Sequence, residues 1–160
     1  MARALHLAPI STWKYHTRLR LIAGIVAGFV GSLSIMAVVG VILVVTGTDI
    51  FTAARLISTA VLGSEATTGW VPIVVGTGLH LLTGTFFGAL FGLLVPRMPA
   101  NVYMVAGLIY GFLTFLVAGF VILPLIAPLM VATSINLAVL LLAHVVFGFV
   151  LGLAGGVVEV

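Results

Sequence analysis

The chain contains no cysteine. That absence excludes disulfides, thiolate metal sites and a cysteine nucleophile, and it leaves the redox compartment open. Charge is almost as scarce: 6% of the 160 residues are charged, against 63% hydrophobic. A soluble domain carries about 25% charged residues, so this chain cannot clothe a water-facing surface. Its carboxylates are Asp49, Glu65 and Glu159, all outside the apolar runs, which argues against paired-carboxylate hydrolysis and carboxylate-driven ion coupling. Phosphate-binding glycine loops, an HExxH helix and a serine-nucleophile elbow are missing too, so no enzymatic activity is expected. Of the six basic residues, Arg3, Lys14, Arg18 and Arg20 precede the first apolar run. That placement is a membrane-topology signal rather than a nucleic-acid surface.

What is present is apolar length. Runs of about 20 apolar residues mark membrane helices, and four are expected here: residues 19–46, closing at "TGTD"; 70–95, stopped by Pro96; 102–123, ending at Pro124; and 134–158. At about 1.5 Å per residue each crosses hydrocarbon about 30 Å thick. Trp70 and Tyr103 fall at expected helix ends, where amphipathic rings favour the headgroup layer. The run from Leu21 to Val45 exceeds the roughly 7–15 apolar residues of a cleaved signal peptide and reads as a retained span. The basic segment 1–18 reads as loosely ordered or lying along the membrane surface.

Between the first two spans, Ile50, Ala54, Ile57 and Val61 recur at helical spacing, with Thr52, Arg55 and Thr59 on the other side. Thr48 or Asp49 suits an N-cap and Gly63 a C-terminal stop. This predicts a short amphipathic helix over residues 49–62 in the membrane interface, covering the bundle mouth. The expected fold is therefore all-α, one four-helix transmembrane domain over 19–158 plus this interfacial helix. Basic residues concentrate at the N-terminus and the 96–101 turn, while Arg55 on the opposite side is matched by Asp49 and Glu65. Both termini are accordingly expected in the cytoplasm.

The chain also repeats itself. "AGIVAGF" (Ala23–Phe29) matches "AGLIYGF" (Ala106–Phe112), aligning Gly24 and Gly28 with Gly107 and Gly111. His80, Gly84 and Gly88 match His144, Gly148 and Gly152. The pattern predicts two tandem helical hairpins in one orientation, related by an axis along the membrane normal. Gly76, Gly84, Gly88 and Gly92, and likewise Gly148, Gly152 and Gly156, form GxxxG-type ridges along one helix face, where small residues let backbones approach closely.

His80 is ten residues after Trp70, and His144 ten after Ser134, which puts each about 15 Å down its helix. The two imidazoles are expected at one depth, facing each other across the core. An intramembrane ionisable residue is a functional-site hypothesis by default. In one reading each ring donates to a backbone carbonyl or to Ser32, Ser34, Thr83 or Thr114 and sets helix register. In a second, His80 and His144 ligate a b-type haem or a chlorophyll-type pigment, with Gly84 and Gly148 leaving lateral room for the macrocycle. A cofactor-free core suits the pair equally. In a third they relay protons or bind a small solute, although no embedded carboxylate or arginine accompanies them. Phe86, Phe87, Phe91, Phe112, Phe115 and Phe120 are expected to pack or to face lipid.

A basic lead, "AGxxxG" in the first span, the segment "TDIFTAARLISTAVLG", "H-x3-G" followed by "VPRMP", and a last "H-x3-G-x3-G" together resemble a family of small prokaryotic four-helix membrane proteins of unknown function. The resemblance covers residues 20–157 and implies a prokaryotic cytoplasmic membrane, with no activity to carry over. With so little mass outside the apolar runs, the expected role is a non-catalytic accessory subunit. Its expected partners are the lipid bilayer and other transmembrane subunits of a larger complex, respiratory or photosynthetic as the first to check, or further copies of itself. The alternatives are an electron-transfer protein built on the histidine pair and a small-solute transporter.

Overall fold

The computed structural model describes residues 10–133 and 136–154, with side chains from 17 to 132 and from 136 to 154. Every regular element among them is helical. In chain order these are α1 (Ile10–Val45), α2 (Thr52–Leu62), α3 (Val71–Leu94), α4 (Ala100–Val117), a π-helical turn (Ala118–Ile122), α5 (Leu123–Ile126), α6 (Pro128–Thr133) and α7 (Leu137–Leu153). Three stretches are long and apolar enough to cross a membrane: Thr17–Val45, Val71–Leu94 and Ala100–Ile126. The apolar helix α7 has 17 described residues and is shorter than these.

Several boundaries differ from those expected, each for a local reason. Helix α1 starts at Ile10 rather than 19, so the second half of the basic segment continues the first apolar helix instead of lying loose. No glycine or proline interrupts the sequence between Ile10 and Gly24, and nothing else there stops a helix. The stop expected at Pro124 is instead a change of helical pitch. A proline inside a helix has no N–H, and its ring crowds the carbonyl four residues back. Here the wide π-helical turn Ala118–Ile122 precedes it, and the helix runs on to Ile126. Helix α7 begins at Leu137, where the Asn136 side chain caps it by accepting from the Ala138 N–H at 2.8 Å. That leaves His144 seven residues into the helix rather than ten. The rest of the fourth span expected over 134–158, including Gly156, lies outside the described residues.

The long helices form a ring in which α1 packs against α3 and α7, and α4 packs against α7. Glycines decide the first and last of these contacts. Gly24 and Gly28 of α1 lie against Gly84, Gly88 and Gly92 of α3. Gly107 and Gly111 of α4 lie against Gly148 and Gly152 of α7. A Cβ built on Gly107 would sit 2.5 Å from the Gly148 carbonyl oxygen and 2.7 Å from the Gly152 Cα, backbone atoms that cannot swing aside. In both pairs the main chains therefore touch, the packing mode of helices held by van der Waals contact and polar groups. Between α1 and α7 the interlock is of another kind. Phe147 fills the notch above Gly31, its ring carbon 2.7 Å from where a Cβ would be.

The fourth side of the ring, between α3 and α4, closes mainly near their connecting turn. Phe91, with no exposed surface, stacks edge-on against Tyr103 at 5.2 Å and is tilted against Tyr110 at 5.1 Å. The Tyr110 hydroxyl donates to the Phe87 carbonyl at 2.9 Å. Tyr103, expected at the headgroup level, is 1% exposed and belongs to the core with Phe147 and Leu151. The aromatic clamp outweighs its interfacial preference. Arg20 reaches from α1 to donate to the Val95 carbonyl at 2.8 Å, satisfying the C-terminal end of α3.

Helix α2 crosses the other end. It rests on α3, with the Ala54 carbonyl against Gly76, and reaches α6, where Leu56 meets Ala127 and Met130. Its N-terminal device is not the expected side-chain cap at Thr48 or Asp49. The N-cap position is Phe51, and Asp49 accepts from the Phe51 N–H at 2.9 Å while pairing with Arg55. Those two contacts, the backbone N–H first, hold the Asp49 carboxyl below its ordinary 3.8. A depressed carboxylate contributes stability that is complete above its unfolded value and is lost as pH falls through the folded one. Cleavage of the link between α1 and α2 by added protease is therefore expected to stay constant from about pH 7 to about pH 5. Asp49→Asn is expected to raise that cleavage at both pH values, and equal rates in the variant and the parent would refute the role of the contact.

Candidate functional site

The ring of helices is not filled to its centre. Beneath α2, between α3 and the bent α4–α5 segment, lies a cavity of about 700 Å³. Its floor and walls come from α1, α3, the π-helical turn, α5 and α7, and its roof from α2 and the residues around Ala127. Ile50, Ala54, Ile57 and Val61, the stripe expected to lie on the membrane interface, all line it. The buried side of α2 instead carries Leu56, Ser58 and Thr59. Sequence periodicity located the stripe but not what it faces. Burying the two hydroxyls is cheap because each donates back into its own helix, Ser58 to Arg55 and Thr59 to Leu56.

His80 and His144 both line this cavity. Each ring is oriented by a backbone carbonyl. His80 Nε2 donates across the interface to the Ser32 carbonyl of α1 at 3.2 Å. His144 Nδ1 donates to the Leu140 carbonyl one turn back in its own helix at 2.8 Å, and its ring stands edge-on to Phe115 at 6.2 Å. A carbonyl oxygen only accepts, so the bonded nitrogen carries the proton. Each neutral ring therefore keeps one bare nitrogen, Nδ1 on His80 and Nε2 on His144. Neither has a partner among the described residues. Nor is either sealed in: among the described residues, the fully buried side-chain nitrogen and oxygen atoms without a partner are Arg55 Nε and the Tyr103 hydroxyl oxygen.

The hydroxyls around the rings divide into two groups. Ser32 donates to Gly28 at 2.8 Å and Thr114 to Gly111 at 2.9 Å, both into their own helices. Ser34, also considered as a histidine partner, donates to Val30 and is outside the lining. Thr77 and Thr83 line the cavity with no hydrogen-bonding partner among the described residues. The remaining lining is alkyl and aromatic, including Phe51, Phe87 and Phe147, with no carboxylate, lysine or arginine. Of the glycines, Gly84 borders the cavity beside Ser32 and Gly76 supports the roof, whereas Gly148 is packed into the α4–α7 contact. Gly84 thus borders the site while packed against Ser32 and Gly28 of α1, and neither glycine leaves the lateral room expected of it.

The lining does not suit a b-type haem. Two axial imidazoles would have to bind through unlike nitrogens, Nδ1 on one side and Nε2 on the other, and no basic side chain in the cavity meets a propionate. No group of three or more potential metal ligands exists among the described residues. What the arrangement can do is hold an uncharged apolar molecule and orient it through a few hydrogen bonds, the usual composition of a small-molecule pocket.

Residues 19–159 match the model of a family described as a family of unknown function, DUF6789. No curated protein and no solved structure matches the chain significantly.

Proposed function

The chain belongs to the DUF6789 family, and from that premise we propose that it is an integral membrane protein that binds an apolar, lipid-borne small molecule between two helical hairpins. The observation that carries this reading is the cavity of about 700 Å³. Helices packed main chain to main chain leave few voids larger than a water molecule. A space this size falls within the range of roughly 300–1,000 Å³ typical of ligand pockets. It also has a natural entrance. Helices α3 and α4 are clamped at Phe91 and hold little contact toward the π-helical turn, so a ligand dissolved in the bilayer enters sideways.

In this reading α7 is the fourth span. Its 17 described residues extend about 26 Å at 1.5 Å per residue, and the chain continues apolar beyond them. The two hairpins are duplicated copies whose cavity-facing residues have diverged: Thr83 of the first occupies the position of Phe147 in the second. The protein lies in a prokaryotic cytoplasmic membrane with both termini inside. An accessory-subunit role rests on the small mass outside the apolar runs and on small-residue faces, and those faces are occupied by contacts within the chain. Ion-coupled transport asks for embedded charges, and the cavity lining has none.

Titration of the detergent-purified protein with the apolar fluorophore 1-aminoanthracene tests the proposal. Saturable binding of one molecule per chain is expected. Thr83→Phe, which places in the first hairpin the residue that the second already carries, is expected to remove that binding while the protein keeps its melting temperature. Non-saturable partitioning that is identical in both proteins would sink the reading. The haem and pigment alternatives predict a Soret band in the purified protein, and the cavity reading predicts none.

A further inference from the structure

Resting on that reading, we infer that the cavity selects a hydroxyl-bearing aromatic headgroup of the hydroquinone class, the reduced form of a membrane quinone, over its carbonyl-bearing oxidised form. The selection comes from how the two imidazoles spend their protons. Both N–H groups are committed to backbone carbonyls, of Ser32 and of Leu140. No carboxylate lines the cavity to balance an imidazolium, and an unpaired charge in such surroundings is costly. The rings are neutral, and what each turns to a ligand is a lone pair. Two acceptors ask for a ligand with two donors.

A hydroquinone offers two O–H groups at opposite ends of a flat ring. A quinone offers two carbonyls in the same places and would set lone pair against lone pair at both histidines. Thr77 and Thr83 do not decide between them, because a hydroxyl rotates to donate or to accept. The other lining groups fit the rest of such a molecule. Phe87 and Phe147 line the same cavity as the histidines, and the alkyl side chains of α2, α5 and Met130 receive a hydrocarbon tail. The gap between α3 and α4 lets that tail remain partly in the bilayer. Ligands with one hydroxyl, such as long-chain alcohols, satisfy one acceptor and leave the other bare.

Displacement of bound 1-aminoanthracene by three short-chain compounds of one shape tests the inference: decyl-hydroquinone under reducing conditions, decyl-quinone, and the hydroquinone dimethyl ether. The hydroquinone is expected to displace the fluorophore at a concentration at least about tenfold below that needed for either of the others, because a site built to bond a hydroxyl rejects the analogue lacking it. Decanol is expected to fall between them. His144→Phe removes one acceptor without introducing a donor and is expected to narrow the ratio between the quinone and hydroquinone concentrations needed for displacement, each read against the fluorophore binding of the same variant. Equal displacement by hydroquinone, quinone and ether would overturn the inference and leave the apolar-pocket reading standing. Absence of saturable fluorophore binding would instead remove the pocket reading itself.

Discussion

Gly88→Ala is expected to lower the unfolding free energy by at least about 3 kcal/mol, the upper end of ordinary overpacking costs. The new methyl group would meet the Gly24 carbonyl oxygen, and it would lie 2.5 Å from the Gly28 Cα and 2.8 Å from the Gly28 nitrogen. These are main-chain atoms of a helix, so relief requires α1 and α3 to separate along their whole contact. The matched control is Gly78→Ala in the same helix. A Cβ there has nothing within 4 Å, and alanine is the better helix former by about 1 kcal/mol in peptide hosts. Unfolding by SDS titration, read by circular dichroism, checks both. If the two variants lose stability alike, the loss is a general intolerance of α3 to side chains and the main-chain contact is not what matters.

The second large effect is at Phe91. Truncation to alanine is expected to cost about 3–5 kcal/mol, as for a buried aromatic residue in a packed core. Phe91 has no exposed surface and touches both Tyr103 and Tyr110. It also ties α3 to α4, together with the Tyr110 hydroxyl bond to Phe87. Its loss is therefore expected to loosen the ring on the side where it is already weakest. Phe86→Ala, five residues earlier and 63% exposed, is expected to change stability by less than about 0.5 kcal/mol, as surface substitutions do. Comparable losses in both variants would show that the clamp is not what holds α3 to α4.

Much of this molecule is legible from local patterns. Apolar runs locate the end of α1, both ends of α3 and the start of α4 closely, because the length and composition of a helix that must satisfy its own backbone are properties of a contiguous segment. The four-residue glycine spacing marks the helix faces on which the α1–α3 and α4–α7 contacts occur, because residues four apart share one ridge. His80 and His144 are conspicuous for the same kind of reason: ionisable groups in apolar helices stand out by themselves.

Other features depend on what lies opposite. The burial of Tyr103 follows from Phe91 reaching it from another helix, and no property of the 100–117 segment predicts that. The stripe of α2 turns to a cavity rather than to an interface because residues of α1, α3, the π-helical turn, α5 and α7 stand around the space beneath it. Proline signals a break in sequence, but whether a helix ends or changes pitch depends on the contacts holding it afterwards. The hydrogen bonds of the two rings are a third case. His80 bonds across to α1, whereas His144 bonds within α7, although each has a glycine four residues further on.

The sequence by itself determined that the chain is helical, that apolar segments long enough for a bilayer dominate it, and which small residues and which two imidazoles are set apart. These follow from spacing within single segments. Only the tertiary structure decided that a space remains among the helices and which ring nitrogens are taken up by backbone carbonyls. Voids and hydrogen-bond partners are relations between segments distant in the chain, and they exist only once those segments have met.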